Sequence, residues 1–322
     1  MNTLLEVRNL SKSFLVSSRR PGAPKQRLQA VDDVSFTLRA GETLGLVGES
    51  GCGKSMTALS MIRLLPTSGR ILEGSVRLGD TEILDLPEAA MRSERGGRMG
   101  MIFQEPMTSL NPVLTIGDQI AESVQVHDTK ARADLDGRVL ELLKAVGIPD
   151  PERRMREYPH QLSGGMKQRV MIAIALAGKP ELLIADEPTT ALDVTIQAQV
   201  LRLLKDLQQE SGMAIMLITH DLGVVSEVAD RVAVMYAGQI IEVATREQFF
   251  NNPQHPYSRK LFDSLPGKAR RGQPLAVIRG SVPALNQEFR GCRFADRCEE
   301  VLDHCHHQVP VWSRIGEGQG VL

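Results

Sequence analysis

Apolar residues fall in this chain into short continuous runs divided by turn residues, alternating with stretches of helical period. Leu44-Gly45-Leu46-Val47, Met99-Gly100-Met101-Ile102-Phe103, Leu182-Leu183-Ile184-Ala185 and Leu217-Ile218 read as strands. Leu4-Leu5-Glu6-Val7-Arg8 reads as an opening strand, and Val34-Ser35-Phe36-Thr37-Leu38 alternates like a half-buried one before the turn Ala40-Gly41-Glu42. Val139 to Val146 carries a helical pattern that Gly147 ends, and a helix from Gln197 to Gln208 places Val200, Leu203, Leu204 and Leu207 on one face before Gly212 stops it. Strands alternating with helices predict a parallel sheet core. Between Gln104 and Ser163 the pattern is mostly helical, and Ser17 to Gln26, with Arg19, Arg20, Pro21, Gly22 and Pro24, reads as an exposed loop. Beyond about residue 246 the rhythm is lost and proline, histidine and cysteine take over. The predicted division is therefore 1–245, with a helical subdomain over about 105–165, and a C-terminal domain over 246–322.

Chemistry enters after the first of those apolar runs. Gly48-Glu49-Ser50-Gly51-Cys52-Gly53-Lys54-Ser55 fits the phosphate-cradling pattern G-x-x-x-x-G-K-[ST]. Glycines at 48, 51 and 53 allow successive N–H groups to turn toward one anion, and the helix expected from Lys54 adds its positive dipole end. Lys54 would reach the β- and γ-phosphates and the Ser55 hydroxyl would ligate Mg²⁺. The fixed positions arise by chance in roughly one chain per hundred of this length, so the motif needs support. Leu182 to Ala185 leads into two adjacent carboxylates, Asp186 and Glu187. Asp186 at the end of a strand can hold Mg²⁺, and Glu187 can polarise an attacking water. Read alone, the pair is more economically a solvated acidic turn. Leu162-Ser163-Gly164-Gly165 opens the apolar helical run Val170 to Ala177 and offers a second anion site at a helix N-terminus. Asp193 follows Glu187 in a short acidic turn, His220 ends the Leu217-Ile218-Thr219 run, and Gln104 follows Phe103.

In order and spacing these elements resemble an ABC-transporter ATPase. The resemblance implies a P-loop NTPase (RecA-like) α/β core with an antiparallel β subdomain, a helical subdomain and a small C-terminal extension. It assigns Glu187, His220 and Gln104 to catalysis, and Ser55, Gln104 and Asp186 to Mg²⁺. ATP contacts fall to Phe14, Gly48, Glu49, Ser50, Gly51, Cys52, Gly53, Lys54, Ser55 and Met56, with Ser163, Gly164, Gly165 and Asp193. Two such domains pair head to tail in this family, so Ser163 and Gly165 would serve the partner's ATP. Phe14 resembles the family's adenine-stacking aromatic, although a lone Phe near a strand is more often core. Phe103 to Pro112 and Ala185 to Thr195, with Pro253-Gln254-His255-Pro256-Tyr257 and Ile278 to Pro283, are similar to the dipeptide, oligopeptide and nickel branch of importers. Met166 to Ala173 is closer to the first ATPase of such importers, the DppD/OppD type. That implies a homologous second ATPase of DppF/OppF type, two permease subunits touching Glu105 to Asn111, and a solute-binding protein reached through the permease. Nickel or glutathione import, or a non-transport ATPase acting on DNA or ribosomes, are the alternatives.

Composition narrows these. At 322 residues and 42% hydrophobic the chain can bury a large core. Basic and acidic residues number 38 and 39, so no electrostatic footprint for nucleic acid exists. No apolar run approaches a membrane span and the first residues lack the pattern of a signal peptide. The expected place is peripheral, on the cytoplasmic face of the cell membrane. Cys292, Cys298 and Cys305 cluster three of the four cysteines, which the resemblance reads as a [4Fe–4S] site. No fourth cysteine follows Pro310, leaving His304, His306 or His307, a non-protein ligand, or a lost C-terminus; three buried thiols are the plain alternative. Cys52, in the phosphate loop near a helix N-terminus, is expected to have a lowered thiol pKa and no catalytic role.

Overall fold

In the computed structural model, residues 2–16, 26–66, 68–105, 109–128, 130–190, 192–263 and 278–322 are described. The loop expected from Ser17 lies outside them up to residue 25, as does the Pro106-Met107-Thr108 part of the expected permease contact. The strands are β1 (Thr3–Val16), β2 (Gln26–Arg39), β3 (Thr43–Val47), β4 (Gly69–Leu78), β5 (Thr81–Glu82), β6 (Met99–Ile102), β7 (Leu182–Asp186), β8 (Ala214–Thr219), β9 (Arg231–Tyr236), β10 (Gln239–Thr245), β11 (Ser313–Gly316) and β12 (Gln319–Val321). The helices are α1 (Lys54–Met61), α2 (Glu88–Glu94), α3 (Ile116–His127), α4 (Leu135–Ala145), α5 (Pro151–Arg154), α6 (Gly164–Leu176), α7 (Val194–Ser211), α8 (Leu222–Val228), α9 (Arg246–Asn251) and α10 (Pro256–Asp263). Contacts gather the chain into two units: Met1–Leu4, Leu38–Thr43 and Asp85–Ile218 form one, and Leu5–Thr37, Leu44–Leu84 and Thr219–Leu322 the other.

The unit containing Asp85–Ile218 is built on β6, β7 and β8, which pair in parallel with β7 central. Every residue of β7 and β8 is buried, as strands apolar on both faces require. Helices α3 and α4 lie in the segment expected to be helical. Each begins at a side-chain cap, Thr115 on the Asp118 N–H and Asp134 on the Gly137 N–H. Helix α4 ends where expected, with Gly147 at φ +70°. Helix α7 runs three residues further than expected at each end. Its buried face is Val200, Leu201, Leu204 and Gln208, while Leu203 and Leu207 are half-buried. The buried Gln208 amide is satisfied by donating to Thr43 Oγ1 at 2.9 Å.

In the second unit an antiparallel sheet runs in the order β2-β1-β4-β5. Leu5, Val7, Val34, Phe36, Val76 and Leu78 lie on its buried face, and for β2 this is the alternation read from sequence. The β1–β4 register slips between Arg8 and Ser11. Opposite the slip Gly74 sits at φ +109°, where a Cβ would lie 2.6 Å from Leu10 Cα, so only glycine fits. A further set of strands follows the order β11-β12-β10-β9-β3. Strand β3 is parallel to β9, and β9 turns through Ala237 and Gly238, both with positive φ, into antiparallel β10. The structure departs from expectation after residue 246. Helices α9 and α10 pack there, and the β11–β12 hairpin adds to the edge of β10, Glu242 opposite Val321. Those strands are three and four residues long and β11 is exposed throughout, too short and too polar for an alternation signal. Val234, Tyr236, Phe249, Tyr257, Phe262 and Phe294 form the core that joins α9 and α10 to the strands.

Candidate nucleotide site

The phosphate loop leaves β3 at Gly48. That residue has φ +151°, and an added Cβ would lie 2.2 Å from the Met235 carbonyl oxygen. Gly53, at φ +113°, would put a Cβ 2.5 Å from Ala30 O, so both turns need glycine for space as well as conformation. Gly51 has open space around it and is held to glycine by its φ of +79° alone. Gly53 is the N-cap of α1, so Lys54 and Ser55 stand on the first turn of a helix, with Met56 behind them. Lys54 is buried, and its Nζ donates to the carbonyls of Gly48 at 2.7 Å and Glu49 at 3.1 Å, curling the ammonium over the loop that precedes it. The chain thus forms a glycine-turned backbone cradle, a helix N-terminus and a cation in one place. Ser50 and Gly51 are exposed at its tip.

Two details of the loop differ from sequence expectation. Burial pushes the Cys52 thiol up, against the opposing pull of Lys54, so the lowered pKa expected from the helix end does not hold. The loop is also braced by residues the motif does not contain: Glu49 N–H donates to Tyr257 Oη at 2.9 Å, and Arg297 forms a fork on the Glu49 carboxylate at 2.7 and 3.0 Å. Tyr257 stands in a stretch that sequence marks only by family likeness, and Arg297 has no sequence signal at all. Phe14 is half-buried, with Lys12 Nζ 4.2 Å from its ring centroid and 3.2 Å from Met56 Sδ. Burial lowers the Lys12 pKa to about 8. His220, exposed after β8, is followed by Asp221, which caps α8 by accepting from the Gly223 N–H at 2.8 Å.

In the unit built on β6 to β8, the carboxylates and Gln104 come together. Asp186 is buried as the last residue of β7. Glu187, the next residue, is left-handed at φ +47°, a conformation costing on the order of 1–3 kcal/mol for a side-chain-bearing residue. Its N–H donates to Ile218 O at 2.9 Å, which fixes the turn. Gln104 Nε2 and Thr190 Oγ1 each donate to Glu187 Oε2 at 2.9 Å, so two donors converge on one carboxylate oxygen and aim it. Thr190 was not among the residues singled out by sequence. Ser163, exposed, is the N-cap of α6 and accepts from the Met166 N–H at 3.4 Å. Asp193 is the exposed N-cap of α7, accepting from the Ile196 N–H at 2.9 Å. A Cβ on Gly165 would lie 2.7 Å from Ile196 Cγ2 and one on Gly164 3.8 Å from Leu192 Cδ2, so the signature formed by Leu162 to Gly165 and the Asp193 turn are packed together.

The cysteine segments meet without forming a metal site. Cys292 N–H donates to Cys305 O at 2.8 Å, which brings the segments together through backbone. The Cys292 and Cys298 side chains pack against the Tyr236, Phe249 and Phe294 core, and burial pushes both thiols up. Among the described residues no group of three or more His, Cys, Asp or Glu side chains is arranged to hold a metal ion, which contradicts the [4Fe–4S] site expected at Cys292, Cys298 and Cys305. Cys292 and Cys298 are packing residues.

Residues 31–190 match the ABC transporter family, and residues 241–305 match the oligopeptide/dipeptide transporter C-terminal region. The chain is 51% identical, over 98% of its length and 92% of the relative's, to the probable peptide ABC transporter ATP-binding protein y4tR of Sinorhizobium fredii. It is 52% identical to the oligopeptide transport ATP-binding protein AppD of Bacillus subtilis, over 96% of this chain and 93% of that one. The dipeptide transport ATP-binding protein DppD of the same organism is 47% identical over 96% and 91%. Among solved structures, the ATP-binding cassette MJ0796 as a post-hydrolysis dimer bound to ADP and Pi aligns with a TM-score of 0.64 and 28% identity, over 75% of this chain and 98% of that one. With the phosphate cradle, the Gln104–Glu187 pair and the capped signature in place, the chain belongs to the ATP-binding subunits of ABC transporters that carry the oligopeptide/dipeptide C-terminal region.

Proposed function

We propose that the chain is the ATP-hydrolysing subunit that powers import of dipeptides or oligopeptides across the cell membrane. The observation that carries this is near-full-length identity of about half to proteins named as peptide, oligopeptide and dipeptide transport ATP-binding proteins, together with a matched C-terminal region. ATP lies on the cradle of Gly48 to Ser55 with Lys54 at its β- and γ-phosphates, and its adenine stacks on Phe14. Glu187 is the general base: Gln104 and Thr190 hold its carboxylate while it takes a proton from the attacking water. His220 contacts the γ-phosphate. Ser55, Gln104 and Asp186 supply the hydroxyl, amide and carboxylate oxygens that suit Mg²⁺, which when bound neutralises charge on the phosphates. Ser163, Gly164, Gly165 and Asp193 face a second nucleotide-binding subunit, whose ATP the exposed Ser163 serves in return.

The partners are a membrane permease made of two subunits, a homologous second ATPase, and a solute-binding protein that meets the permease. None of the described helices is long and apolar enough to cross a membrane. In this reading those partners hold the chain at the cytoplasmic face. The domain division is 1–245 for the ATPase and 246–322 for the C-terminal domain. Gentle solubilisation of native membranes with the tagged chain tests the assembly. Recovery of two permease subunits and a second ATPase is expected; recovery of only ribosomal or DNA-bound proteins would overturn the transport reading.

A further inference from the structure

The phosphate loop carries an acidic residue, Glu49, directly after Gly48, in a place otherwise built to receive anions. Its main chain touches the anion machinery, since Lys54 Nζ is 3.1 Å from the Glu49 carbonyl oxygen. An unpaired carboxylate there would repel a triphosphate, because charges at a half-buried site are only partly screened by water. The C-terminal segment answers this charge. Arg297 lies in the region matched by the oligopeptide/dipeptide C-terminal family, 248 residues along the chain from Glu49, and its side chain is only 6% exposed. One guanidinium nitrogen meets Glu49 Oε2 at 2.7 Å and the other Oε1 at 3.0 Å, a two-point pair that a lysine could not make. The guanidinium is itself fixed: Nε donates to Arg279 O at 2.9 Å and Nη1 to Tyr236 Oη at 3.3 Å. Tyr257, fully buried, accepts from the Glu49 N–H at 2.9 Å and holds the same residue from its main chain.

We propose that Arg297 is a positioning residue of the nucleotide site, neutralising and orienting Glu49 so that the phosphate loop accepts ATP. The inference rests on reading Gly48 to Ser55 as the ATP cradle. It makes the C-terminal segment part of the ATPase rather than an appendage: displacing Arg297 uncovers a negative charge in the loop and lowers affinity for phosphates. Arg297 acts through Glu49 and touches no reacting atom.

The test is a charge cycle on the full chain, titrating Mg-ATP by calorimetry. Arg297→Met leaves Glu49 uncompensated and is expected to weaken ATP binding about tenfold. Adding Glu49→Gln to it removes the stranded charge and is expected to restore affinity to within about threefold of the parent chain. A merely structural role cannot produce that rescue, because the double variant lacks the ion pair altogether. Affinity for adenosine, which has no phosphates, should be the same in all forms. Arg297→Gln with and without Glu49→Gln reads the same cycle should the methionine variant not fold. Affinity unchanged in the Arg297 variant, or a double variant as weak as the single one, overturns the proposal. Lys54→Ala checks the underlying reading separately: if it binds Mg-ATP like the parent chain, the cradle assignment fails and the Arg297 result loses its frame.

Discussion

In the proposed reaction Glu187 is the residue on which hydrolysis turns, and its surroundings suit that role. It occupies a strained left-handed position, tied by its N–H to Ile218, with Gln104 and Thr190 both donating to one carboxylate oxygen. Glu187→Gln keeps the shape and loses the base, so ATP binding should persist while turnover falls by about 10²–10⁴-fold, measured as phosphate release at saturating ATP. Thr190→Val removes one of the two aiming donors and should lower turnover several-fold without changing ATP affinity in a direct titration. Lys54→Ala differs in kind: the cation over the loop is lost, and affinity itself should drop by tenfold or more. At this scale the sequence was most readable. A phosphate loop and a carboxylate pair are local strings whose chemistry is written in adjacent residues. Arg297 was not legible, since it meets Glu49 across 248 residues of sequence; Thr190, three residues from Glu187, carries no mark of its own until the local turn aims its hydroxyl at the carboxylate.

Among the elements, the join between β10 and α10 has the sharpest physical signature. Glu242 of β10 is fully buried and accepts the Gln254 and His255 N–H groups at 2.9 Å each, while His255 Nδ1 accepts the Tyr257 N–H at 3.0 Å as α10 begins. His255 must be neutral for that last bond. Burial, aided by Arg259, lowers its pKa from the ordinary 6.5 to about 4. The unfolded chain therefore takes up a proton before the folded one does. Stability contributed by neutral His255 is present above pH 6.5 and is lost as pH falls toward 4, by about 3 kcal/mol across the window. Thermal melts from pH 7 to 4.5 should show a decline, and His255→Gln should flatten part of it; an equal slope in both would contradict this account. The elements themselves followed their sequence patterns where the runs were long and regular, as in α4, α7 and the alternating strands of the antiparallel sheet. The C-terminal hairpin has no signal in the sequence because it is stabilised by pairing with β10, a contact across nearly 80 residues that no local period reports.

For the whole molecule, the cysteine cluster shows where family likeness outran physics. Three cysteines close in sequence suggested a metal centre, yet two of them serve as apolar filling beneath Phe294 and Tyr236. The signature and the Asp193 turn, by contrast, are built to face outward: Ser163 and Asp193 are exposed helix caps and the glycines between them are packed against Ile196 and Leu192. An exposed signature is what a second nucleotide-binding subunit would engage, and Glu187→Gln with ATP should hold the two subunits together in size-exclusion chromatography while the parent complex separates after turnover. The most direct test of the central claim is uptake. With the purified transporter in proteoliposomes, ATP supplied on the side of this chain should drive accumulation of a labelled di- or oligopeptide, and Glu187→Gln should abolish it. Peptide uptake that is the same with and without ATP hydrolysis by this chain would contradict the account.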